Sequence, residues 1–225
     1  MRTEELLEAA CPSMLIVEMR ITNRIVIGVP HHAPAGTTKL EYCSEHPNSD
    51  ENTGHLGRYL ADQLNCCSII ACNYVFDVNK CLRTDYAVQI AKWAPKILVE
   101  IHAHSGKGHP VPKDVEISCG SRERNKFSVE LATKLQAALD ESPQVTDLSI
   151  NGDFVMIPGH LKATQSVTIT EPRWIAYHLE LAPKLRIPKA KAGKPPTIGF
   201  VLCDKLANIL RALLASAASA SRTTS

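Results

Sequence analysis

Aromatic residues are scarce in this chain of 225 residues, at 5% of the total, and none is interleaved with its densest basic run, Lys184 to Lys194. A groove for single-stranded nucleic acid needs both cations and stacking faces, so no nucleic-acid partner is expected. The prolines in and just after that run, Pro188, Pro195 and Pro196, fit a solvated loop. Neither sign of charge is in excess: 25 Lys and Arg against 23 Asp and Glu leave a formal charge of +2, too little to draw the chain to a polyanion. No apolar run approaches the roughly 20 residues of a membrane span, and no membrane association is expected. The start, Met1-Arg2-Thr3-Glu4-Glu5, is acidic and has no apolar segment of the signal-peptide kind. The eight cysteines contain no CxxC pair, and Cys66 and Cys67 are adjacent, so a structural zinc knuckle is not expected. Cys119 reads as a buried hydrophobe, because nothing around it signals an activated thiolate. The expected compartment is the reducing cytoplasm.

A hydrophobic share of 44% and a charged share of 21% fit a globular chain with a substantial core. The patterning predicts a short helix over 4–10, strands over 13–20 and 25–29 joined as a hairpin around Thr22-Asn23-Arg24, and a loop over 30–50. From Asn52, the apolar positions Leu56, Tyr59, Leu60 and Leu64 recur at helical spacing. Further strands are expected over 68–72, 97–101, 115–118, 167–170 and 176–181, and helices over 85–93, 127–139 and 198–214. The Ala, Ser and Thr after residue 215 suggest a disordered tail over 216–225. Strands alternating with helices predict one α/β domain over 1–215, with a mostly parallel mixed central sheet and helices on both faces.

Three short stretches carry the chemistry: Val29-Pro30-His31-His32, Asn48-Ser49-Asp50-Glu51-Asn52-Thr53 and Val99-Glu100-Ile101-His102-Ala103-His104. The first and third end apolar, β-branched runs, so each delivers polar side chains to the carboxyl edge of a sheet, where open α/β folds bind ligands. Two histidines and a carboxylate suffice to hold a catalytic zinc with a position left for water. His31 and His32 would point in opposite directions on an extended segment, and either could be the ligand. Asp50 and Glu51 are alternatives in the same way, and either could instead favour the N-terminus of the helix that follows. His102 completes the set. Glu100, two residues earlier, shares its face and suits an acceptor that orients a ligand histidine. His104 makes a His-x-His pair at the edge of the Ser105-Gly106-Lys107-Gly108 loop. Glu180, within Tyr177-His178-Leu179-Glu180-Leu181, is a carboxylate in an apolar strand that needs a partner to be buried; His178 shares its face.

The order of these features resembles the N-formylglutamate amidohydrolases, which are related in fold to zinc carboxypeptidases and phage polyglutamate hydrolases. The matching features are Pro-His after a strand, an acid opening a helix, Asp77-Val78-Asn79-Lys80, Glu100-x-His102 and a late Leu179-Glu180-Leu181. The resemblance spans about Ile25 to Arg186 and implies a zinc carboxypeptidase-like, phosphorylase/hydrolase-like α/β fold. It implies Zn2+ held by His31, by Asp50 or Glu51, and by His102. Glu180 would be the general base on a zinc-activated water. Asn79 and Lys80 would bind a substrate carboxylate, with His104 and His178 also facing substrate and Arg83 a candidate donor to the oxyanion. Lys80 stands where the family has Arg and gives up the planar two-pronged match to a carboxylate, a departure that weighs against formylglutamate itself. The implied activity is hydrolysis of an amide in a small N-acyl amino acid or carboxylate-bearing peptide. Two other readings compete: a barrel amidohydrolase using His102 and His104 as its His-x-His site, and a non-catalytic metal- or ligand-binding protein.

Overall fold

The computed structural model describes residues 3–8, 13–40, 43–145, 147–190 and 193–220, the last four by backbone alone. Among these, the strands are β1 (Met14–Glu18), β2 (Thr22–Ala33), β3 (Asp50–Glu51), β4 (Cys66–Cys72), β5 (Ile97–Ala103), β6 (Val115–Ser118), β7 (Ile150–Asn151) and β8 (Ile175–Leu181). The helices are α1 (Thr3–Glu8), α2 (Thr53–Leu64), α3 (Asp85–Trp93), α4 (Asn125–Asp140), α5 (Val167–Thr170), α6 (Pro183–Arg186) and α7 (Thr197–Ala220). The strands form one mixed sheet in the order β1-β4-β2-β5-β8-β6-β7, with β3 paired to β2. Its centre, β4-β2-β5-β8, is parallel, and β1 and β6 run antiparallel to their neighbours β4 and β8. A sheet with two open edges is not a closed barrel, which removes the barrel amidohydrolase reading.

Side chains alternate across this sheet and sort the core into two layers. Ile25, Ile27 and Val29 of β2, Val99 and Ile101 of β5, and Leu179 and Leu181 of β8 pack on Leu56 and Leu60 of α2, Leu131 and Leu135 of α4, and Leu202 and Leu206 of α7. Val26, Leu98 and Ala176 face the other way, against Tyr86, Ile90 and Trp93 of α3 and Ile169 of α5. Counting on in steps of two from Leu98 gives Glu100 and His102, and from Ala176 gives His178 and Glu180. These four polar groups therefore emerge on the α3/α5 face at the carboxyl ends of the central strands.

β2 would break this pattern if it were regular, because the residue sharing the face of Val26 and Gly28 would be His32. Its pairing with β4 slips between Val29↔Ile70 and His32↔Cys72: three steps on β2 match two on β4, a bulge of one residue. A bulge reverses the alternation beyond it. His32 consequently turns to the α2 face, where its Nδ1 accepts the Gly54 N–H at 3.1 Å and its Nε2 lies 3.1 Å from the Leu7 carbonyl. Gly54 is required there, since a Cβ would come within 2.7 Å of the His32 ring. His31 is left facing the same side as His102.

Several expectations are corrected. Residues 13–20 and 25–29 do not form a hairpin: β1 pairs with β4, from Met14↔Cys72 to Glu18↔Ser68, and β4 lies between β1 and β2. Strand spacing alone cannot reveal a strand inserted from later in the chain. Residues 167–170 form a turn of helix despite their β-branched side chains, because Ser166 caps it by accepting the Ile169 N–H. β2 runs to Ala33, into the expected loop, and helix α7 continues past residue 215 to Ala220; residues 221–225 lie outside the described residues. No helix among the described residues is long and apolar enough to cross a membrane.

Leu60 is fully buried between α2 and the sheet. Replacing it by Ala should destabilise the fold by about 2–5 kcal/mol, read as a lower urea midpoint at unchanged slope. A loss below about 1 kcal/mol would contradict the packing of this layer.

Candidate metal centre

The bulge in β2, the short β3 and the end of β5 bring three buried side chains together. Asp50 Oδ2 lies 3.4 Å from His31 Nδ1 and 3.5 Å from His102 Nδ1. Ligands about 2.0–2.1 Å from a tetrahedral ion sit roughly 3.3–3.4 Å from one another, so these spacings are those of a coordination shell. His31 Nδ1 and Asp50 Oδ2 are buried with no hydrogen-bond partner among the described residues, a cost that a cation between them would remove. Two neutral imidazoles and a carboxylate are a suitable donor set for Zn2+. The residues present therefore fit a divalent metal.

The far nitrogen of each histidine is held by a second partner, as metal-ligating imidazoles usually are. His31 Nε2 is 3.0 Å from Asp77 Oδ1. His102 Nε2 is 3.5 Å from Glu100 Oε2 and from the Asn79 amide. Glu100 is fully buried and accepts from Tyr86 Oη at 3.0 Å and Thr168 Oγ1 at 2.7 Å. Gly28 makes this possible, since a Cβ on it would overlap the Tyr86 hydroxyl.

Charge follows from this geometry. Burial alone would push Asp50 up, but the His102 and His31 imidazoles beside it hold its carboxyl well below the usual range. Burial alone would push His102 down, but the Asp50 and Glu100 carboxylates raise it to about 10. His31 is raised in the same way, against burial, by Asp50 and Asp77. Glu180 sits across from His102 in the β5–β8 register. Burial raises its carboxyl to about 7, and its Oε2 has no hydrogen-bond partner among the described residues. His178, 3.4 Å from Glu180, is pushed well down by burial and by the field of His102, so it is neutral.

The structure thus brings together His31, Asp50, His102, Glu180, His178 and Asn79. Asn79 lies beneath His102, touching Glu100. Glu51 turns away and accepts the Gly36 N–H at 2.7 Å. His104 lies outside the ligand cluster, its Nδ1 accepting the Gly106 N–H at 3.0 Å. Lys80 and Arg83 are exposed on the wall of a neighbouring cavity. Sequence reasoning singled out neither Asp77 as the partner of His31 nor Tyr86 and Thr168 as supports of Glu100. It also missed His46, whose ring stacks on His31 at 3.8 Å between centroids. Asp77 had a signal in its motif. His46 lies in a loop without periodicity, and no sequence pattern points to it.

No family model and no curated protein sequence matches this chain, but its fold is shared with a solved hydrolase. It is similar to a bacteriophage poly-γ-glutamate hydrolase, with a TM-score of 0.53 and 13% identity over 95% of each chain. It is also similar to an N-formylglutamate amidohydrolase from Ralstonia eutropha JMP134 (TM-score 0.49, 8% identity, 88% of this chain and 98% of that one). A metallo-carboxypeptidase from Pseudomonas aeruginosa is a third (TM-score 0.45, 11% identity, 89% and 60%). At 13% identity the likeness to the phage hydrolase is one of fold.

Because the Asp50 carboxylate beside them raises both His31 and His102, a metal at their Nδ1 atoms competes with protons there. Zinc affinity should therefore rise with pH between 6 and 8, by up to about tenfold per unit for each proton displaced. Calorimetry in buffers of different ionisation enthalpy should show between one and two protons released per ion at pH 7, by about this count. Affinity flat with pH and no proton release would contradict the assignment.

Proposed function

We propose that this chain is a zinc-dependent hydrolase that cleaves an amide bond in a small N-acyl amino acid or carboxylate-bearing peptide. The observation that carries this reading is the convergence of His31 Nδ1 and His102 Nδ1 on one Asp50 oxygen, with the free Glu180 Oε2 on the adjacent strand. Zinc would supply Lewis acidity there, acidifying water and polarising the scissile carbonyl.

The remaining work falls to the chain's own residues. Three protein ligands leave room for water and substrate, as catalytic zinc sites require. Glu180, with its carboxyl raised towards neutrality, takes a proton from the attacking water at Oε2 and returns it to the leaving amine. Neutral His178, on the same face, steadies Glu180 and can donate to substrate. Asp77, Glu100 and Asn79 hold the ligand imidazoles in orientation. Lys80 meets the substrate carboxylate, and Arg83, on the same wall, adds positive charge where an oxyanion or carboxylate would lie. The fold shared with a bacteriophage poly-γ-glutamate hydrolase supports this reading.

Elemental analysis of the purified protein should find about one zinc per chain, largely lost in His102→Ala. Glu180→Gln should keep the metal and lower kcat by about 10²–10⁴-fold on N-acyl amino acids. Wild type without stoichiometric metal after zinc addition would contradict the metal assignment. A Glu180→Gln variant within about threefold of wild type would contradict the role of Glu180.

A further inference from the structure

Among the described residues a single lysine or arginine is buried: Arg186, 5% exposed, the last residue of α6. Its guanidinium donates to three backbone carbonyls, from Nε to Leu181 at 3.3 Å, from Nη1 to Glu51 at 3.2 Å and from Nη2 to His104 at 3.3 Å. No carboxylate among the described residues forms an ion pair with it, although its charge lies in the field of Asp50, Glu51 and Glu180. A buried ion without a direct counter-ion is costly, so filling space does not account for an arginine here.

The three carbonyls do account for it. Leu181 follows Glu180 at the end of β8, Glu51 follows Asp50 in β3, and His104 stands two residues beyond His102, just past β5. The main chain of Arg186 reaches a fourth segment. Its carbonyl accepts from the Asn52 side-chain amide at 2.9 Å, and the Asn52 N–H donates to the Ala33 carbonyl, at the end of β2, at 2.8 Å. Each segment that presents His31, Asp50, His102 or Glu180 is thus joined to Arg186, directly or through Asn52, within two residues of that side chain.

β3 depends most on such an anchor. It pairs with β2 at only two positions, His32↔Asp50 and Ala33↔Glu51, and is shorter than an ordinary strand. Asp50 must nevertheless hold one oxygen 3.4 Å and 3.5 Å from two imidazole nitrogens. A planar guanidinium suits the task, because its rigid fork serves several acceptors at once, whereas a lysine ammonium is a point charge on a flexible stem.

We infer, resting on the proposed metal centre, that Arg186 is a positioning residue for the metal site. It acts through the main chain, locking the ends of β3, β5 and β8 at the spacing at which Asp50, His102 and Glu180 meet a divalent cation.

The test compares wild type, Arg186→Met, Arg186→Lys and Arg124→Met, each purified and stripped of metal. Arg124 is an internal control: its guanidinium also holds three carbonyls, those of Ile169, Glu171 and Trp174, but at the amino end of β8, away from the ligand cluster. Three readouts are taken: zinc affinity by competition with a chromophoric chelator, the visible spectrum of the Co2+-loaded protein, which reports coordination geometry, and urea unfolding. Both Arg186 variants should bind zinc about 10–100-fold more weakly and change the Co2+ bands, with lysine restoring neither. Arg124→Met should lower the urea midpoint and yet bind zinc within about threefold of wild type, with an unchanged Co2+ spectrum. Wild-type zinc affinity and Co2+ spectrum in either Arg186 variant would overturn the inference. So would an equal loss of zinc affinity in Arg124→Met, or failure of both Arg186 variants to fold, since either would reduce Arg186 to a general structural clamp. Wild type that binds neither ion would overturn the metal assignment itself, and the inference with it.

Discussion

The geometry of the centre depends on one extra residue in β2. In a regular strand, His32 would share the Gly28 face and His31 would pack against α2. The bulge between Val29 and His32 reverses this, and the consequences spread outward. His32 becomes a buried structural group between the Leu7 carbonyl and the Gly54 N–H, which ties β2 to α1 and α2. His31 turns to face His102, with Asp50 presented by the short β3 that pairs alongside. Bulges commonly re-aim a side chain next to a functional site, and here the re-aimed side chain is a proposed ligand.

Burying that many charges is costly unless they compensate one another. Asp50 stands between two imidazoles, Asp77 backs one of them and Glu100 backs the other. The supporting carboxylates are themselves bonded, Glu100 by Tyr86 and Thr168. A layer of ordinary core residues on the α3/α5 side thus fixes the orientation of His102 through Glu100. Glu180 is the exception. Its position opposite His102 brings it to the centre without a direct cationic partner, and burial keeps its carboxyl close to neutrality. A carboxyl held there can both accept and return a proton near neutral pH.

Much of this architecture is legible in the sequence because it rests on periodicity. Val99, Glu100, Ile101 and His102 alternate between core and site by simple counting, as do Tyr177, His178, Leu179 and Glu180, and both strands lie where the pattern put them. The parallel centre and the two helical layers follow from the alternation of strand-like and helix-like segments. What counting could not supply lies where local rules yield to tertiary contacts. The choice between His31 and His32 is made by a bulge, which shows only in the register against β4. The choice between Asp50 and Glu51 depends on which way a two-residue strand is turned. The helical turn at Val167 is imposed by the Ser166 cap against the β propensity of its residues, and β1 pairs with β4 because both edges of the nearer β2 are taken, by β4 and β5. His46 reaches His31 from a loop that has no pattern to read.

His31, Asp50 and His102 are proposed to form one coordination shell. The most direct measurement is an anomalous difference map from crystals of the zinc-loaded protein, collected on both sides of the zinc edge. A single strong peak is expected about 2.0–2.2 Å from His31 Nδ1, His102 Nδ1 and an Asp50 carboxylate oxygen, with Glu180 nearby but outside the shell. A peak bound instead by His102, His178 and Glu180, the alternative cluster within reach of His102, or no peak at this edge of the sheet, would contradict it.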